Sequence, residues 1–264
     1  MKTLSVPVFL TLACFLMPAA VSANENSARV TPVVKVVSEC ADSVVNISTE
    51  KLILLKEDPF WGSFHTRFAD LDASIPIKAM TLRSVGSGVV LSKDGLILTN
   101  AHVVQQANKI FVIFVNGQQV VAQPVSMNPG ADLALIRVDV PEPLKPVKFA
   151  KDVIIGETVV AIGDPLGYQN SVSAGVVSGT HREIPNMPDR SPFKDLIQVD
   201  AHINFGNSGG GLFNLDGEFM GITLAMAQNA QGIGFVIPVT KIQEALAAYR
   251  EHLAQIEAKK AKSI

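Results

Sequence analysis

The apolar positions of this chain fall into short runs separated by turn signals, most of them too short for a helix. Val44-Val45-Asn46-Ile47-Ser48-Thr49 is rich in β-branched residues and predicts a strand. Val85–Leu91 predicts another, Asp94-Gly95 supplies a hairpin turn, and Leu96–Thr99 runs back. Ile110–Val115 and Gln119–Val125 flank Asn116-Gly117 as a second hairpin, and Leu133–Val138 follows. Pro141, Pro143 and Pro146 mark a join around residues 140–152. Beyond it, Thr158–Ile162, Ser171–Val177, Ile197–Val199, Gly211–Asn214, Glu218–Leu224 and Ile233–Val236 are short runs again, with Asp216-Gly217 as a tight turn. Two sets of roughly six strands, with no helices between them, predict an all-β protein of antiparallel barrels or sandwiches.

Helical spacing is confined to the two ends. Val33, Val34, Val37 and Cys40 predict a short helix within 29–42. Near the end, Pro238 stops the last strand, and Thr240 with Gln243 has the form of a capping box. Ile242, Leu246, Tyr249, Leu253 and Ile256 then make one helical stripe, followed by a basic tail of Lys259, Lys260 and Lys262. Between Lys56 and Met80 the pattern dissolves, and Phe60, Trp61, Phe64 and Phe68 lie in an irregular stretch suited to packing or association. Lys2, the apolar run Val6–Met17 and the small residues of Val21-Ser22-Ala23 read as a signal peptide over residues 1–23. The expected layout is therefore a signal peptide (1–23), a helix, aromatic loop and first strand set (24–150), a second set (151–238), and a terminal helix with its tail (239–264). It places the mature protein in the periplasm or outside the cell, with no membrane span after cleavage.

About 240 residues remain after cleavage, enough for one large all-β domain or two small ones. A net charge of −2, with no dominant basic face, argues against a nucleic-acid partner. Only Cys40 survives export, so burial rather than disulfides must hold the fold. The five histidines are scattered, and neither a metal nor any other cofactor is expected.

Gly206-Asn207-Ser208-Gly209-Gly210 is the stretch with chemical potential. Glycines beside a serine let backbone approach a carbonyl closely, and the Gly206 and Ser208 amides can point at one developing oxyanion. Gly-x-Ser-x-Gly alone fits an α/β-hydrolase elbow or a glycine-rich turn equally well. A serine nucleophile also needs a base and a carboxylate that orients it. His102, at the turn Asn100-Ala101 after a strand, has the best context, with Val103-Val104 to anchor it. Asp132, at the mouth of the apolar run Leu133-Ala134-Leu135-Ile136, needs a partner if it is buried. The chain order His102, Asp132, Ser208 differs from that of an α/β-hydrolase, where only His252 could follow the serine as base and the upstream βαβ alternation is missing.

Thr99-Asn100-Ala101-His102-Val103-Val104, Ala131-Asp132-Leu133-Ala134-Leu135-Ile136 and Ile203-Asn204-Phe205-Gly206-Asn207-Ser208-Gly209-Gly210 together resemble the three catalytic blocks of the HtrA (Deg-type) trypsin-like serine proteases. Ala161-Ile162-Gly163-Asp164-Pro165-Leu166-Gly167 and Gly232-Ile233-Gly234-Phe235-Val236-Ile237-Pro238 are similar too, and the resemblance spans roughly residues 29–243. It implies two six-stranded antiparallel barrels of the chymotrypsin type. It also implies His102 as general base, Asp132 as its orienting partner and Ser208 as nucleophile, with an oxyanion hole at Gly206, Asn207 and Ser208. The implied function is an exported serine endopeptidase cutting unfolded or regulatory polypeptides of the cell envelope after small aliphatic residues, through an acyl-enzyme. Trimers held by N-terminal aromatic contacts are common in the family, which would give Phe60, Trp61 and Phe64 a task.

The chain departs from the family pattern in three places. It stops after one helix, without the usual PDZ domain. Phe205 stands where proline or arginine is usual, and His202 where a small residue is usual. His202, Phe205 and Leu224 are the residues expected to shape the substrate pocket, unless His202 points away. With no aspartate at position 207 and no Ile-Val start, ordering of loops near 164–171 and 181–193, rather than a proteolytic cut, would activate the site. The alternative functional reading is a catalytically quiet binding or chaperone-like module on the same fold; an α/β-hydrolase esterase ranks behind both.

Overall fold

The computed structural model describes residues 27–56, 77–163, 171–184, 193–203, 207–224 and 232–261. The expected signal peptide (1–23), the aromatic residues Phe60, Trp61 and Phe64, and the pair Phe205-Gly206 lie outside the described residues, as do 164–170 and 185–192.

The chain opens with α1 (Pro32–Cys40), shorter than the 29–42 expected from spacing. Thr31 caps it by accepting the Val34 amide on its hydroxyl, and Pro32 fits the first turn, where no backbone donor is needed. A single 3₁₀ turn, Ala41–Ser43, leads into the first strand. Strands β1 (Val44–Lys56), β2 (Ile77–Val90), β3 (Leu96–Thr99), β4 (Lys109–Ile113), β5 (Gln119–Asn128) and β6 (Leu133–Val138) close into a barrel in the order β1-β2-β3-β6-β5-β4. All its pairings are antiparallel. The β1–β2 hairpin is longer than periodicity suggested, paired from Val44 opposite Val89 out to Lys56 opposite Ile77. Its outer half, Glu50 to Leu55, carries no helix-or-strand alternation to read.

The second set comprises β7 (Lys148–Phe149), β8 (Thr158–Gly163), β9 (Ser171–Ile184), β10 (Phe193–Val199), β11 (Gly211–Asn214), β12 (Glu218–Leu224) and β13 (Gly234–Pro238). Six of them run β11-β8-β9-β10-β13-β12, and pairing of β11 with β12 closes the ring. The proline-rich join hides the seventh strand, β7, which adds in parallel to β12. The architecture is thus two six-stranded antiparallel barrels with a helix at each end, as expected. Gly95, Gly117 and Gly217 take positive φ at the three Asp-Gly and Asn-Gly turns, the backbone such hairpin turns require.

The terminal helix α3 spans Val239–Ala261 and starts directly after Pro238. Thr240 therefore lies inside its first turn rather than at the cap, so the expected capping box is not formed. A one-turn helix, α2 (Ala101–Val104), replaces the expected Asn100-Ala101 turn.

Three apolar clusters explain why so many strand runs lack a polar alternation. One fills the first barrel, around Val45, Ile47, Ile97, Val112 and Ile136. One fills the second, around Val159, Ala161, Leu212, Met220 and Val236. The third lies between the barrels and under α1 and α3, and it includes Leu98, Leu133 and Leu135 from one barrel with Ile162, Phe213, Phe219 and Ile222 from the other. Successive residues of β3, β6, β8 and β11 point alternately into a barrel and into this junction, so both faces are buried. Phe213 and Phe219 meet with ring centroids 5.8 Å apart, tilted by 55°. Cys40 belongs to the junction cluster; its Sγ–H reaches the Gly217 carbonyl, and burial pushes the thiol pKa up. It is an inert core residue. No helix among the described residues is long and apolar enough to cross a membrane.

Candidate active site

The strands that feed the junction also carry the reactive residues. His102 sits on α2, immediately after β3; Val103 and Val104 are buried in the first-barrel core and anchor the turn. Asp132 directly precedes β6, the neighbour of β3 in the sheet, with Thr99 opposite Ala134. This pairing brings the two residues together although thirty positions separate them. Asp132 is fully buried. Its Oδ2 lies 2.6 Å from His102 Nδ1, and its Oδ1 accepts the His102 backbone amide at 2.9 Å. An ionised carboxylate only accepts, so the ring nitrogen facing it donates. The neutral imidazole then keeps its lone pair on Nε2, the nitrogen turned away from Asp132.

Asp132 adopts φ 53°, a left-handed conformation that aspartate tolerates better than most residues. The surroundings fix it there: the Asp132 carbonyl accepts both the Asn100 side-chain amide at 3.0 Å and the Ala101 backbone amide at 3.1 Å. Asn100 is fully buried, so it positions the loop rather than facing solvent. The chain read as a string gave Asn100 no task beyond a turn; its place directly before Ala101-His102 was the available signal.

The serine sits in a β-turn. Asn207 O accepts the Gly210 amide at 2.8 Å, with Ser208 and Gly209 as the central residues. Gly209 has φ +85°, as the third residue of a type II turn must. A Cβ at Gly209 would lie 2.1 Å from the Ser87 carbonyl oxygen and 2.7 Å from Thr99 Oγ1, so only glycine fits. The turn is bolted to both barrels. Ser87 on β2 donates its amide to Ser208 O at 2.8 Å, while Thr99 Oγ1 donates to Ser87 O at 2.7 Å. On the other side Thr223 on β12 donates its hydroxyl to the Asn207 carbonyl, its amide to Gly210 O at 2.9 Å, and receives the Gly209 amide at 3.0 Å. Ser208 is thus tied through Ser87 to Thr99, three residues before His102. Thr99, Ser87 and Thr223 hold the turn in place; Thr99 and Ser87 fall in stretches that carry the family resemblance, whereas Thr223 reads in sequence as an ordinary strand residue.

Gly206, half of the expected oxyanion hole, and Phe205 lie outside the described residues. Asn207 is buried against Gly163, and its Oδ1 has no hydrogen-bond partner among the described residues. His202 is exposed, and its carbonyl accepts the Ser173 hydroxyl at 2.8 Å. Leu224, at the end of β12, is packed in the junction cluster. His252 lies exposed on α3, and the all-β architecture removes the α/β-hydrolase alternative. No group of three or more metal-ligating side chains occurs among the described residues.

Two antiparallel barrels, with a buried Asp132 holding a solvent-facing His102 on one and a glycine-framed serine turn on the other, define a trypsin-like peptidase. A family model for the trypsin-like peptidase domain matches residues 86–222, more than half of the chain, and the chain belongs to this family. Within it, the similarities are to HtrA-type serine proteases. The chain is 34% identical over 257 residues to the putative serine protease HhoA of Synechocystis sp., covering 92% of this chain and 64% of that protein. It is 37% identical over 223 residues to a probable periplasmic serine endoprotease, DegP-like, of Halomonas elongata, covering 77% of this chain and 46% of that protein. Among solved structures, a variant of the HtrA-type protease AlgW with a decapeptide superposes with a TM-score of 0.71 at 32% identity, covering 83% of this chain and 67% of that one. The chain spans less than two thirds of the length of these curated relatives.

Proposed function

We propose that the protein is an exported serine endopeptidase that cleaves unfolded or regulatory polypeptides of the cell envelope. The observation that carries this reading is the buried Asp132 carboxylate holding His102 at both its backbone amide and its ring Nδ1. That arrangement fixes one tautomer and one ring orientation, which a general base needs and a merely structural histidine does not.

In the proposed reaction His102 Nε2 takes the Ser208 hydroxyl proton as the oxygen attacks the scissile carbonyl. The tetrahedral oxyanion is met by the Ser208 and Gly206 amides, with Asn207 between them. Collapse expels the amine, which receives the proton back from His102 and leaves Ser208 acylated. Water then attacks the ester by the same route in reverse, restoring the serine. Asp132 stays ionised throughout and stabilises the imidazolium. His202, Phe205 and Leu224 are proposed to shape the pocket for the residue before the cut.

The signal-like residues 1–23 and the periplasmic naming of the Halomonas relative support an envelope or secreted location. Assembly into a homotrimer through Phe60, Trp61 and Phe64 is part of the same proposal; alanine at all three should reduce the mass measured by light scattering to that of one chain. The direct test of activity is digestion of unfolded casein by the mature protein and by Ser208→Ala. Loss of several orders of magnitude of rate in the variant is expected; equal digestion by both ends the proposal.

A further inference from the structure

A groove of about 450 Å³ opens beside His102 on the first barrel. Its walls come from β1, β2 and the turn after α2, and they include Thr49, Lys51, Arg83, Ser84 and Gln106. Among the described residues two cations line it and no carboxylate does, although the whole chain is net negative. The two cations are not equivalent. Arg83 is neutralised by Glu50 at 3.0 Å, a partner opposite it in the β1–β2 register that does not line the groove. The Lys51 ammonium instead meets the neutral side-chain carbonyl of Gln106. Lys51 therefore gives the groove its uncompensated positive charge.

The position of His102 at one end says what passes through. The imidazole returns its proton to the leaving amine, so the segment released first must run over the ring on the side of the first barrel. An extended chain advances about 3.3 Å per residue, so the first few residues after the cut fall within this groove. This inference rests on the peptidase reading of His102 and Ser208.

We propose that Lys51 is a specificity determinant that selects polypeptides carrying Asp or Glu within the first three residues after the scissile bond. The carboxylate displaces the neutral Gln106 carbonyl and takes a hydrogen bond from the ammonium in which both partners are charged. Ser84 lines the same groove and offers a hydroxyl donor to such a carboxylate, while the buried Thr49 hydroxyl already donates to the Ser84 carbonyl at 3.4 Å.

The test uses quenched fluorescent peptides of one sequence, with Asp, Ala or Lys placed in turn at the first, second and third positions after the cut. The readout is the ratio of kcat/KM for the Asp and Lys peptides within each enzyme, so any change in overall activity cancels. At one or more positions the ratio should be about fivefold in the wild type at low salt, combining one attraction and one repulsion at a part-exposed site. It should fall towards unity in about 1 M salt, where screening acts within about 3 Å. Lys51→Arg should keep the preference and Lys51→Glu should invert it. The same ratio in the wild type and Lys51→Glu at all three positions overturns the inference, as does a wild-type ratio of one at low salt. If the wild type cuts none of the peptides and a fluorophosphonate fails to label Ser208, the peptidase reading itself fails and this inference with it.

Discussion

Asp132 grips His102 twice, with one carboxylate oxygen 2.6 Å from the ring Nδ1 and the other accepting the backbone amide at 2.9 Å. The amide bond sets where the helix turn α2 begins, and the ring bond sets the imidazole's rotation. Replacing Asp132 by Asn separates the two. Asparagine tolerates the left-handed backbone at this position and can still accept the amide. Its NH₂ group, however, faces Nδ1 and forces the proton onto Nε2, the wrong nitrogen for a base. Asp132→Asn should fold with little change in melting temperature and lose about four orders of magnitude in kcat. A loss of less than about tenfold in kcat would show that Asp132 does not orient the base.

Gly209 is the point where the serine turn passes closest to the first barrel. A methyl group there meets the Ser87 carbonyl and Thr99 hydroxyl at distances that neither can yield without breaking the bond between them. The left-handed φ adds backbone strain of about 1–2 kcal/mol for alanine. Gly209→Ala should keep the barrels folded by circular dichroism but abolish fluorophosphonate labelling. Labelling at the wild-type rate would mean the turn is held elsewhere.

Thr223 ties the same turn to the second barrel. Thr223→Val keeps the shape and both backbone bonds but removes the hydroxyl from the buried Asn207 and Gly210 carbonyls. Losing a buried donor costs about 1–3 kcal/mol. The denaturation midpoint should fall accordingly, and kcat should drop more than KM rises, since the affected turn carries Ser208, the proposed nucleophile. An unchanged kcat would assign the hydroxyl to stability alone.

Much of this was legible in the chain before any coordinates. The three turn dipeptides with glycine marked hairpins correctly, and the blocks around His102 and Asp132 held the pair that the β3–β6 pairing joins. Other features were hidden for physical reasons. β7 is only two residues long and gains its pairing entirely from β12, so no local pattern announces it. Thr240 looked like a helix cap, yet the helix starts earlier because Val239 and Ile242 pack into the junction cluster, and burial outweighs one capping bond. Thr99, Ser87 and Thr223 matter through partners distant in sequence, which no spacing rule reveals.

Asp94, in the β2–β3 turn, offers a check in acid. The Ser92 hydroxyl, and then the Arg137 guanidinium, hold its carboxyl down at about 2. A carboxyl lowered on folding stabilises the native state above its unfolded value of about 3.9, and that contribution disappears as the pH falls through about 2. Asp94→Asn should therefore lower the urea midpoint at neutral pH slightly, and the difference should shrink through acid and vanish only below about pH 2. Because Asp94 is exposed, the neutral-pH effect should shrink in high salt. A constant difference between the two proteins at every pH would contradict this assignment.

The account rests on Ser208, His102 and Asp132 acting as one unit across the barrel junction. Labelling of the mature protein by a fluorophosphonate, with the modified peptide sequenced by mass spectrometry, tests that most directly. The account predicts a single adduct on Ser208, slowed by orders of magnitude in His102→Ala and in Asp132→Asn. Labelling of Ser208 at the same rate in His102→Ala, or an adduct on another residue, would contradict it.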